Sequence, residues 1–323
     1  MKRSALSDFL RGLVIAALPA AAAGCCSDHR SIVHHDLPDA FIVDDGGVPP
    51  PIGAGLPQPA CDEACGAGYV HHGSVTVYGC VVAGATDGGV TAVDCDEKDE
   101  TCTTIFAGGR PPLGLKPRQP VDARDPVGAF FAAMAHVEAA AVDGFEELAC
   151  ALAAHGAPAP LIEAARDAAA DEARHARVAA AFARRFGAVA LPPVEIDAVP
   201  APSLETLALA NAREGCVLET SGAVVTQWQS RTARDRAVRR AFVNIATDEL
   251  RHAELAFAVA RWLHPRLDDL GRCRVREARR AAAAELARDI ERPTPPRLVA
   301  AVGLPASDAA RGLVADLRAR LWT

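Results

Sequence analysis

Asp171-Glu172-Ala173-Arg174-His175-Ala176 returns almost unchanged as Asp248-Glu249-Leu250-Arg251-His252-Ala253. Each copy is a Glu-x-x-His within a long Ala-rich stretch of helical periodicity. Residues three apart share one face of a helix, so each copy delivers a carboxylate and an imidazole to the same side. Two such helices of a four-helix bundle supply part of a dinuclear metal site, and the other two helices each add a carboxylate.

The repeat extends upstream. Glu138 precedes Glu172 by 34 residues and Glu214 precedes Glu249 by 35, so the copies are offset by 76 and 77 residues. Five residues on, Asp143 follows Glu138 and Glu219 follows Glu214. Glu219 is therefore the rival for the third-helix carboxylate, and the internal symmetry favours Glu214.

Helical stretches are expected over 127–155, closed by Gly156-Ala157-Pro158, and over 160–186, closed by Gly187. A connection over 188–202 with four prolines follows, then helices over 203–232 and 235–263. Connections are short within each hairpin and long between them. The expected fold is therefore mainly α: a four-helix bundle over 127–263 with a long central crossover, braced by helices at 267–291 and 307–321 within 264–323.

Before this region the composition changes to Gly, Pro, Asp and Cys. Residues 111–126 read as a linker. Within 61–110, Cys61, Cys65, Cys80, Cys95 and Cys102 alternate with short β-like runs, as in a small disulfide-linked segment. Five is odd, so one cysteine pairs with Cys26, pairs elsewhere or stays free. A rubredoxin-like iron site needs two Cys-x-x-Cys pairs, and this segment has none. Residues 26–60 are poor in large apolar side chains and read as a disordered tether, in which His34 and His35 form a solvated pair. His71-His72 reads as an exposed loop pair.

Lys2, Arg3 and Arg11 precede an apolar run from Gly12 to Gly24, which at 13 residues is too short to span a bilayer. Residues 1–25 read as a secretory signal peptide. Ala22-Ala23-Gly24-Cys25 resembles a bacterial lipobox, which implies acylation of Cys25 and a lipid anchor in the cell envelope; a plain leader cleaved after a small residue is the alternative. The net charge of −7, with no block of Lys or Arg, argues against a nucleic-acid partner.

Glu138, Glu172-x-x-His175, Glu214 and Glu249-x-x-His252, in that order, resemble the ligand set of the ferritin-like di-iron carboxylate superfamily. Ala212-Arg213-Glu214-Gly215-Cys216-Val217 with the repeated hexapeptide is similar to ferritin-like domains of predicted bacterial lipoproteins. The resemblance implies Glu138 and Glu214 as terminal carboxylates, Glu172 and Glu249 as bridges, and one histidine per metal. It also implies that Asp171 and Asp248 accept a proton from the imidazole of the opposite hairpin, Asp171 from His252 and Asp248 from His175. Surface pairing of these aspartates with Arg174 and Arg251 is the alternative.

Four carboxylates and two imidazoles suit two iron or manganese ions, and no organic cofactor is expected. His136 and Cys216 are expected to lie outside the ligand set, and Cys150 and Cys273 to be buried thiols, with a disulfide in an exported chain as the alternative. Tyrosyl-radical chemistry is excluded, because both tyrosines, Tyr69 and Tyr78, precede the helical region. Without a Cys-x-x-Cys electron-transfer site, a redox role needs an external donor. The expected function is thus an envelope-anchored oxidase, oxygenase or ferroxidase-type protein acting on oxygen or peroxide. The alternative is a non-enzymatic bundle that sequesters metal or binds partners.

Overall fold

The computed structural model describes residues 5–17, 29–41, 50–65, 68–70, 73–86, 89–101, 109–118, 121, 123, 125–290 and 294–322. The chain divides into two compact units, one formed by residues 25–103 and the other by 1–24 with 104–323. It is mainly helical, with a small antiparallel sheet.

In the smaller unit, strands β1 (His29–Phe41), β2 (Gly68–Val70), β3 (Gly73–Thr86) and β4 (Gly89–Thr101) order as β1-β4-β3-β2. Helix α2 (Gln58–Ala64) starts a turn that carries Cys61 and Cys65 four residues apart, on one helical face. Cys80 and Cys95 are cross-strand partners in the β3–β4 register. These two spacings match, and the disulfides Cys61–Cys80 and Cys65–Cys95 staple helix to sheet side by side. The four sulfurs form a core with Val82, Val90 and Val93. Cys102, His71, His72 and Cys25, the residue expected to be acylated, lie outside the described residues.

The expected tether over 26–60 needs correction. Part of it is β1, which pairs with β4 from His29↔Asp99 to Phe41↔Val90 across one irregularity. Its sparse large apolar residues suffice because the pairing is through backbone hydrogen bonds. His34 on this strand lies 2.6 Å from Asp94, rather than being solvated alone.

In the larger unit, α3 (Pro126–Ala154) and α4 (Ala159–Arg185) form one hairpin. Asp125 caps α3 through Val127 N, and Pro126 occupies the first turn, where no N–H is needed. Gly156 and Gly187 follow the two helices at φ +71° and +84°, the left-handed geometry that ends a helix most easily with glycine. The second hairpin begins with α5 (Leu204–Ala210), capped by Ser203, passes into a π-helical segment (Asn211–Glu219) and continues as α6 (Thr220–Thr232). Its partner α7 (Arg236–Leu263) is capped by Asp235. α4 and α7 meet, which joins the two hairpins face to face.

The crossover between hairpins is not loose. Leu115 bridges to Ile196, Ala123 to Ala188, and Lys116 Nζ lies 3.2 Å from Asp197, so the 111–126 linker and the crossover brace each other. Helices α8 (Asp269–Asp289) and α10 (Ser307–Arg320) match the two expected bracing helices, and a short α9 (Pro296–Ala301) lies between them. The expected leader contains α1 (Ala5–Ala17), whose Leu10 and Val14 are fully buried and which meets α6, α7 and α10.

Two apolar clusters fill this unit, and a polar layer separates them. On α3, Glu138 falls between Ala135 of one cluster and Ala141 of the other; on α4, Glu172 and His175 fall between Ala169 and Ala179. α3 is long and apolar enough to cross a membrane by length and composition alone, but 67% of that apolar window is buried, as in a core helix.

Candidate metal centre

Glu138 on α3, Glu172 and His175 on α4, and Glu249 and His252 on α7 all turn inward and are 0–4% exposed. The periodicity that made each Glu-x-x-His a single face is thereby realised, with both faces aimed at one layer. The sixth donor is Glu219, which is completely buried.

Glu214 does not join them, which corrects the symmetry-based choice and selects its rival. The reason is the π-helical segment. Its widened turns break the register that an uninterrupted α-helix would keep and bring Glu219, at the end of the segment, to the donor layer. Glu214 turns instead toward Arg110, 3.9 Å from its Nη1.

Two overlapping donor sets result: Glu138, Glu172, His175 and Glu249 in one, and Glu172, Glu219, Glu249 and His252 in the other. Within each, the donor atoms lie within 4.8 Å of one another. Bonds of about 2.1 Å to imidazole nitrogen and carboxylate oxygen would bring such atoms round one ion. Glu172 and Glu249 belong to both sets, the position of bridges. His175 Nδ1 is 3.4 Å from Glu249 and 3.5 Å from Glu172; His252 Nδ1 is 3.0 Å from Glu172 and 3.9 Å from Glu219.

These separations do not satisfy the atoms. Both oxygens of Glu172 and Glu219, Glu249 Oε2, and Nδ1 of both histidines are buried without a hydrogen-bond partner. A buried polar atom left unpaired costs about 1–3 kcal/mol, more when charged. Seven such atoms converging on one layer fit a group that coordinates them, and the donor chemistry fits a metal ion.

The other side of each imidazole is occupied. His175 Nε2 lies 3.2 Å from Asp248, and His252 Nε2 lies 3.3 Å from Asp171, each across the hairpins as expected. An Nε2–H donated to a carboxylate leaves the Nδ1 lone pair facing the donor layer. The arginine pairing also occurs: Arg174 and Arg251 each contact both aspartates. The two readings of the aspartates are compatible because a carboxylate accepts from both directions.

Protonation follows the same geometry. Burial and the neighbouring Glu172 push Glu138 well up, and burial with Glu249 beside it pushes Glu219 up to about 8. Burial also opposes the charge of Glu172, but the neighbouring Glu138 carboxyl and the facing His175 and His252 imidazoles outweigh it and hold that carboxyl below its usual range. Desolvation lowers both histidines; Asp248 and the glutamates raise His175 past it, and Asp171 with Glu172 does the same for His252. Without an ion, the layer therefore holds protons that a cation displaces.

Arg110 is a contributor that sequence reasoning did not find. It is 3% exposed, donates from Nη2 to Asn211 Oδ1 at 2.7 Å, and stacks 5.6 Å over Phe145, whose ring lies 5.0 Å from that of His252. A Cβ on Gly144 would stand 2.0 Å from the Arg110 carbonyl, and one on Gly215 would stand 2.5 Å from its Nη2. Both glycines clear its path. The only local signal was a glycine inside each helix, which names no partner.

His136 is buried away from both donor sets, with Nδ1 3.4 Å from Pro192 O, and Cys216 is buried as expected. Cys150 and Cys273 are not buried: Cys150 is exposed and Cys273 intermediate, because each lies on the outward side of its helix. No protein-family model, curated protein or solved structure matches this chain.

Proposed function

We propose that the helical unit is a ferritin-like di-iron carboxylate domain, a four-helix bundle holding two iron or manganese ions. In this reading Glu172 and Glu249, which belong to both donor sets, would be shared by the two ions, Glu138 and His175 would help hold one, and Glu219 and His252 would help hold the other. The observation that carries it is the set of seven unpartnered buried donor atoms on Glu172, His175, Glu219, Glu249 and His252. Zinc would also fit such donors in a test tube, but a carboxylate-rich set favours harder ions.

Iron or manganese held there supplies one-electron chemistry toward oxygen or peroxide. The chain's own part is to hold and orient. Asp171 and Asp248 fix the imidazole tautomers. The apolar clusters on either side of the layer keep water out, and Glu138 and Glu219 keep protons until a cation replaces them. Donors 0–4% exposed favour a reactant as small as oxygen or peroxide over a bulky substrate. Tyr69 and Tyr78 lie in β2 and β3, so a tyrosyl radical has no residue in the helical unit. Electrons come from an external donor.

The disulfides Cys61–Cys80 and Cys65–Cys95 support export to an oxidising compartment, and with the lipobox-like sequence an envelope location with Cys25 acylated. The same deep burial of the donors favours, as a second reading, a protein that sequesters metal without turnover.

Metal analysis of the purified protein, followed by oxygen uptake of its ferrous form, tests both. Two ions per chain with oxygen or peroxide consumption support the oxidase reading, and two ions without consumption support sequestration. A metal-free protein whose stability is unchanged in E172A/H252A sinks both.

A further inference from the structure

A cavity lies where α8 meets the π-helical segment and the end of α7, and its lining includes none of the six donors. It encloses about 220 Å³. Ala208, Ala212, Ala260, Leu263, Leu267 and Val275 make it largely apolar, and no acidic residue lines it. Arg272, Arg276 and Arg279, spaced by four and three residues on one face of α8, all belong to its lining.

Those arginines are not equally engaged. Arg272 donates to the carbonyls of Leu267 and His264 and to Asp269. Arg276 and Arg279 have no ion pair among the described residues, although Arg276 is near enough to Asp269 to lower its pKa. Arg279 Nε is buried without a hydrogen-bond partner. A guanidinium offers a planar fork of donors matched to carboxylate and phosphate, and an unpaired buried N–H leaves one of them wanting an acceptor.

We propose that this cavity binds a small amphipathic oxyanion, a carboxylate or phosphate ester on a short apolar chain. The head lies against Arg276 and Arg279, and the tail lies on Leu263, Leu267 and Val275. The volume falls below the roughly 300–1,000 Å³ of pockets for drug-sized ligands, which limits the tail to a short one. The site is independent of the metal reading, since none of its lining residues is one of the six donors and its charge comes from α8.

Calorimetric titration of the full chain with octanoate, octyl phosphate and octylammonium tests it. Saturable binding of at least one anion and none of the ammonium is expected, and the tighter anion names the head group. R276Q/R279Q should bind roughly tenfold or more weakly, as expected from losing charge-assisted hydrogen bonds. Should that double variant misfold by circular dichroism, R276E alone, changed at an exposed position, should weaken binding in the same direction. Failure of both anions to bind, equal binding of octylammonium, or undiminished binding by a folded variant overturns the proposal.

Discussion

Glu214 and Glu219 differ by five positions and by everything that matters to the donor layer. Glu219 is fully buried among Glu172, Glu249 and His252, whereas Glu214 is partly exposed beside Arg110. E219Q should therefore halve metal stoichiometry, from two ions to one, while E214Q leaves it at two; metal analysis of the two purified variants separates them. Glu214 carries its own signature. Burial, partly offset by Arg110, raises its pKa to about 6, so folding favours its protonated form. That contribution is fully present below the unfolded value near 4.5 and is lost as pH rises through about 6. At pH 8 the wild type then bears up to about 2 kcal/mol of penalty that E214Q lacks, and denaturant melts should show the variant gaining on wild type between pH 4 and 8. Glu219, held protonated up to about 8, gives the centre the opposite visible trend. Manganese affinity should climb from pH 6 through about 8, with protons released on binding; a flat profile would contradict the proton-holding role.

At the scale of elements, the two hairpins are tied by a crossed set of contacts. Asp171 on α4 reaches His252 on α7, Asp248 on α7 reaches His175 on α4, and Arg174 and Arg251 touch both aspartates. D171N and D248N should each weaken metal affinity about 10–100-fold without removing a donor, because the amide no longer fixes the imidazole tautomer. Competition against a chelator reads this, and unchanged affinity would return the aspartates to a purely surface role. In the other unit, α2 is held to β3 and β4 by two disulfides. C61S/C80S should cost about 2–4 kcal/mol in the stability of that unit, measured by denaturant unfolding under non-reducing conditions.

Across the whole molecule, the helices were legible because period, stop and cap signals agreed: Asp125, Ser203 and Asp235 cap where helices were expected to begin, and Gly156 and Gly187 follow where they were expected to end. The ligand faces of α4 and α7 were legible for the same reason. The π-helical segment was not, since Asn211–Glu219 has the composition of an ordinary helix and its widening depends on what packs around it. Nor was β1, whose pairing with β4 is decided by backbone partners distant in sequence. The N-terminal stretch read as a leader is also a helix whose Leu10 and Val14 are buried in the helical unit. Mass spectrometry of the protein recovered from a bacterial envelope should find an acylated N-terminus at Cys25; an unmodified chain that retains α1 would rule out the anchor.

The sequence by itself determined that the chain is mainly helical, that two helices each present a carboxylate and an imidazole on one face, and which aspartates could stand behind them. Helical periodicity and local caps act between residues a few positions apart, so they can be read in order along the chain. The tertiary structure alone decided that Glu219 rather than Glu214 completes the donor layer, that Arg110 enters between α3 and the π-helical segment, and which cysteines pair. Those outcomes depend on close packing between segments tens of residues apart, where the clearance left by a missing Cβ or the pitch of one turn selects the residue that arrives.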